Sequence, residues 1–172
     1  MTTEKISIQD TLRKLGACND AKEWAKDKTW PEIFETCHRG DWLLWLYRRT
    51  NPDNLKELMR TKAHCALTVR HLMKDQRSIN ACEVALKFAD GQATREELNA
   101  YAADAADAAA YAAYTADAYA AAAAYAAYAA ADAAYDAADS AYAAADSAAK
   151  IRNQKRTADI CRKYLPIEIW NL

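Results

Sequence analysis

The chain has 172 residues, a formal charge of −1 and 52% apolar residues, much of that apolar share being alanine. Three Gly and three Pro are too few for the turns of an all-β sandwich or barrel, and no run of about 18 apolar, uncharged residues offers a membrane span. The start, Met1-Thr2-Thr3-Glu4-Lys5, lacks the apolar stretch of a signal peptide, and five cysteines without framework spacing fit reduced thiols, so the expectation is a helical protein of the cytoplasm.

Gly and Pro punctuate the first ninety residues as helix boundaries. Ile6 to Leu15 reads as a short helix ended by Gly16, and Asn19 or Asp20 caps a second through Trp24 to about Lys28. Thr29-Trp30-Pro31-Glu32 has the form of a capping box with Pro in the first turn; the helix behind it carries Ile33, Phe34 and Cys37 and stops near Gly40. Asp41, one residue before Trp42, takes the N-cap place of the next, whose Trp42, Leu43, Trp45 and Leu46 make an apolar face. Asn51-Pro52-Asp53 starts a fifth helix, with Leu55, Leu58, Met59, Lys62, Ala66, Val69 and Leu72, running to about Met73. Ser78 opens a sixth through Cys82, Val84, Ala85 and Phe88 to Gly91. Short capped helices with brief connections predict a compact all-α bundle over 1–93.

Residues 94–156 are different in kind. Thr94-Arg95-Glu96-Glu97 is a second capping box, and the 51 residues from Ala100 to Lys150 hold 32 Ala, eight Tyr and seven Asp. Alanine has the best helix propensity, so the tract is predicted helical. From residue 104 to 149, positions alternating by three and four fall on one stripe; eleven of the fourteen are Tyr or Asp, and the rest of the tract is almost all Ala. Either the Ala faces pack and the Tyr and Asp side chains face outward, or Tyr packs inward. Unpaired buried carboxylates are expensive, which favours the first arrangement. One unbroken helix would be about 77 Å long, so the tract projects or folds back, and a helical hairpin with a new cap near Thr115 or Asp117 is the preferred expectation. Residues 157–172 close the domain, Tyr164 to Trp170 being apolar enough to dock on the bundle.

Charge is uneven along the chain. Residues 1–100 carry 17 Lys/Arg against 15 Asp/Glu, residues 101–149 carry seven Asp and no cation, and residues 150–172 carry six Lys/Arg against two acids. Acids upstream and Lys150, Arg152, Lys155 and Arg156 downstream match the dipole of a helix. Seven charges spread so thinly do not imitate DNA, and the short basic run lacks interleaved aromatics, so no nucleic-acid partner is expected.

His38-Arg39-Gly40-Asp41-Trp42-Leu43-Leu44-Trp45-Leu46 resembles the GDWLLWL-type element of the Imm-5-like group, a bacterial and phage family of immunity proteins. Lys62-Ala63-His64-Cys65-Ala66, the Ala/Tyr/Asp tract and Ala158 to Pro166 resemble later features of that family, so the resemblance spans about residues 30–166. It implies an all-α inhibitor that neutralises a toxin or effector by direct binding, with no catalytic residues and no cofactor.

The side chains expected to meet such a protein partner are Arg39, Trp42 and Trp45 together with Tyr111, Tyr114, Tyr125, Tyr128, Asp132, Tyr135, Asp139 and Tyr142. Two indoles with an arginine rim fit an interface centre, although core anchoring is the preferred reading of Trp42 and Trp45. Tyrosine gives large contact area at low entropy cost. The alternative use of the same stripe is self-association into a homo-oligomer. Cys37-His38, His64-Cys65, His71 and Cys82 invite a metal reading, but adjacent Cys and His cannot both face one site on a helix and no familiar zinc spacing occurs, so no metal is expected. The lone Thr115 does not make the threonine ladder of an ice-binding helix.

Overall fold

The computed structural model describes residues 7–73, 75–114 and 147–170, with side chains placed up to residue 106 and from residue 151. The described residues form eight α-helices and no strand: α1 Ile8–Leu15, α2 Asn19–Trp24, α3 Trp30–Thr36, α4 Gly40–Thr50, α5 Leu55–Leu67, α6 Gln76–Ala89, α7 Arg95–Tyr114 and α8 Ser147–Tyr164, with 3-10 turns at Arg70–Leu72 and Ile167–Ile169. The all-α class read from the sequence is the class observed. Among the described residues no helix is long and apolar enough to cross a membrane.

The helix ends follow local chemistry, with instructive exceptions. Thr29 and Glu32 close a reciprocal capping box on α3, and Thr94 and Glu97 close another ahead of α7. Gly16 and Gly91, both at positive φ, stop α1 and α6 where the sequence places the breaks. Three expected caps are corrected. Arg39, not Asp41, occupies the N-cap of α4, because Gly40 is already helical. Cys18 precedes α2 and offers it no side-chain cap. Asp75, not Ser78, caps α6 through the Arg77 N–H at 2.8 Å, leaving Ser78 buried one turn inside. Three expected ends are too long as well: α2 finishes at Trp24, α3 at Thr36 and α5 at Leu67, and α5 opens at Leu55, after Asn51-Pro52-Asp53.

Helix α5 packs on α4, α6 and α8, α4 packs also on α8, and α6 on α7. Leu43, Leu44, Leu46 and Tyr47 of α4 are buried with Leu58, Met59 and Ala63 of α5, Ala158 and Cys161 of α8, and Leu165 just beyond it in the main core. Arg162 of α8 donates to the carbonyls of Phe34 and Cys37 at 3.1 and 2.9 Å, which satisfies the exposed C-terminal carbonyls of α3. Beyond α8 the chain turns back. Trp170 is buried edge-on to Phe34 and Tyr47, and its indole N–H donates to the Leu165 carbonyl at 2.8 Å.

The start of the Ala-rich tract shows which face packs. Leu98, Ala102 and Ala105 are buried, while Tyr101 and Asp104 are exposed. Small residues let α7 approach α6 closely, and the acid stays in water.

At Gly40, α4 and α8 approach closely. A Cβ added to Gly40 would lie 2.6 Å from Thr157 Cβ and 2.7 Å from its backbone carbon. Gly40→Ala therefore forces the two helices apart. We expect it to lower stability by about 2 kcal/mol in urea unfolding. Thr157→Ala should not restore it, because the backbone contact remains.

Candidate protein-binding surface

The first turn of α4 builds a small aromatic and cationic cluster at the surface. Asp41, almost buried, takes the Arg39 guanidinium as a two-pronged pair, with Nε to Oδ1 at 2.8 Å and Nη2 to Oδ2. This acid is therefore a positioning group for Arg39. The guanidinium lies over the Trp42 ring, 4.8 Å from its centroid. Trp42 meets Trp24 of α2 edge-on at 6.0 Å, Trp24 meets His38 edge-on at 6.4 Å, and Lys28 Nζ stands 4.6 Å over Trp24. Arg39 and Trp42 are only half-buried.

Beside this cluster is a cleft of about 190 Å³ lined by Ala17, Cys18, Ala21, Arg39, Asp41, Trp42 and Trp45. Ala21, Trp42 and Trp45 also line an apolar pocket that runs under it to Leu12, Ile33 and Leu46. Trp45 takes the core-anchoring place and not the interface one: only 9% of its surface is exposed, because the i+3 step from Trp42 turns its indole into the main core. It anchors the floor of the cleft and is not an exposed contact.

The tyrosine stripe is described only at its start. Tyr111 and Tyr114 sit in the last turns of α7. Their side chains, and Tyr125, Tyr128, Asp132, Tyr135, Asp139 and Tyr142, lie outside the described residues. Sequence reasoning missed Trp24, His38, Lys28 and Cys18 around the cleft, since nothing in the spacing ties residues 18–28 to residue 42.

The thiols do not meet the histidines as the sequence allowed. His38 goes to Trp24, His64 stacks on Tyr164 at 4.5 Å, and Cys82 belongs to a separate core between α5, α6 and α7. Among the described residues no three His, Cys, Asp or Glu side chains are arranged to hold a metal. Instead Cys37, Cys65 and Cys161 gather at the α4–α8 crossing, donating to the carbonyls of Arg39, Thr157 and Gly40 respectively. Burial pushes the Cys37 thiol up to about 11 and Cys82 up to about 12, and raises Cys161 as well. These are protonated packing groups, the reverse of an activated nucleophile. Only Cys18 is exposed. Ellman's reagent should therefore titrate one thiol in the native protein and all five in denaturant.

His64 is held below its ordinary 6.5 by burial, then by Lys163 and Arg60, with Asp90 opposing weakly. As pH falls through 6.5 the unfolded chain takes this proton first, so stability declines from there through the lower folded value. In thermal melts from pH 8 to pH 5, His64→Gln should lose less stability on the acid side than the parent. Compared with family models, with curated proteins and with solved structures, the chain matches none.

Proposed function

We infer that the chain is a protein-binding inhibitor, which works by covering a surface of a toxin or effector and not by altering it. The observation that carries this reading is the Trp24–Trp42–Arg39 cluster on the lip of a cleft that continues into an apolar pocket. Trp and Arg dominate the energetic centres of protein interfaces when they border a desolvated pocket. The Asp41 pair fixes Arg39, so little side-chain entropy is lost when a partner arrives. The immunity-type role rests on the resemblance carried by residues 38–46. The exposed Tyr101 and Asp104 give the partner a second area of the kind the stripe suggests.

The test is capture of partners from the native host by a tagged chain, at moderate and high salt, followed by titration of the purified pair. Trp42→Ala should weaken binding by about 2 kcal/mol, roughly 30-fold. Alkylating Cys18, the exposed thiol on the cleft wall, with a bulky maleimide should block binding without touching the core. A partner that binds the alkylated protein and the Trp42→Ala variant as tightly as the parent would remove this cleft from the interface. Recovery of the chain only with itself would move the reading to a homo-oligomer.

A further inference from the structure

A second cleft opens between α5 and α8 and shares no residue with the first. Its volume is about 250 Å³, and its polar wall is made by His64, Thr68, Arg156, Lys163 and Tyr164. Leu67 and Ile160 form the apolar floor. No carboxylate lines it among the described residues, although the chain as a whole carries one more acid than base. Arg156 and Lys163 both line this opening with no acid beside them, a positive lining that favours an anion.

The groups that face His64 are accounted for on every neighbouring element. On its own helix, Arg60 is held by Glu57 and by Asp90 at the end of α6, at 3.0 and 2.8 Å. From α8 come Tyr164, stacked on the imidazole with an interplanar angle of 4°, and Lys163, whose ammonium lies 4.9 Å from the centroid of the Tyr164 ring. Tyr164 is thus already engaged by an imidazole and a cation. Arg156 stands two helical turns from Lys163 on the same side of α8.

We propose that this cleft is a binding site for a small oxyanion of the phosphate class, gripped by Arg156 and Lys163 and hydrogen-bonded by His64. A guanidinium, an ammonium and an imidazole on one lining offer several donors, which suits a tetrahedral ion with several acceptor oxygens better than a flat carboxylate with two. His64 is depressed first by burial, then by Lys163 of the cleft and by Arg60 outside it, so an anion bound beside it would restore the proton and the two events are linked.

The linkage supplies the test, because the chain's other two histidines serve as internal references. Following the imidazole resonances of His38, His64 and His71 against pH, inorganic phosphate should raise the His64 pKa by about 1. The rise should saturate in the low-millimolar range while His38 and His71 follow a chloride control of equal ionic strength. Arg156→Gln and Lys163→Gln alter exposed side chains and should each raise the half-saturating phosphate concentration about tenfold or more. Lys163→Gln should also raise the His64 pKa before any phosphate is added, since it removes a repelling charge. A His64 response in phosphate no larger than in chloride would overturn the site. So would variants that respond like the parent, which would mean an adventitious ion only, or acetate acting as strongly as phosphate, which would remove the tetrahedral preference.

Discussion

The close crossing of α4 over α8 is the constraint on which the rest of the structure depends. Gly40 lets the first turn of α4 settle on Thr157, and no side chain fits between them. Helices that approach this closely leave room only for small side chains between them. Small thiols fit: Cys161 donates to the Gly40 carbonyl and Cys65 to the Thr157 carbonyl, each a second, weak bond to an oxygen inside a helix. Larger residues would hold the helices apart. The cysteines of this chain are best understood as packing pieces cut to this crossing.

The same crossing sets what α4 shows to solvent. With Gly40 against α8, a rotation of about 100° per residue sends Leu43, Leu44 and Tyr47 inward and leaves Trp42 on the outer edge. Asp41 then falls beside Arg39, where their pairing lays the guanidinium across Trp42. A tryptophan half out of water gains a fixed cation on one face and Trp24 against its edge. Surface and core are two sides of one register. A shift of α4 by one residue would exchange Trp42 with a buried leucine and dismantle both.

Much of this was legible in the sequence, and what was not has physical causes. Helix breaks at Gly16 and Gly91, and both capping boxes, depend on contacts within four residues, which a sequence displays directly. Asp41 misled because an acid before an apolar run is a good cap in isolation, whereas tertiary contact drew Gly40 into the helix and made the acid a partner for Arg39. The Trp42–Trp45 spacing correctly gave a shared helix side but could not say that the boundary of the core passes between them. In the tract, the burial of Leu98, Ala102 and Ala105 beside exposed Asp104 follows the expected use of alanine for close packing. The meetings of Cys65 with Thr157 and of Cys161 with Gly40 join residues about a hundred positions apart. No local pattern announces such pairs, and the same is true of Trp24 with Trp42.

The α5–α8 seam shows how one contact generates both a core and an opening. Cys65 on α5 and Thr157 and Cys161 on α8 face inward, where the helices touch. One residue away on each helix, His64 and Arg156 point about 100° round, toward the outer lip of the seam. Close approach at the inner side requires small residues there, and small residues leave the outer side chains free to be long. Lys163 lies in the last turn of α8, where a cation suits the helix dipole, and Arg156 keeps its charge in water from mid-helix. Substitutions that loosen the Gly40–Thr157 crossing will reach the cleft through the same helix.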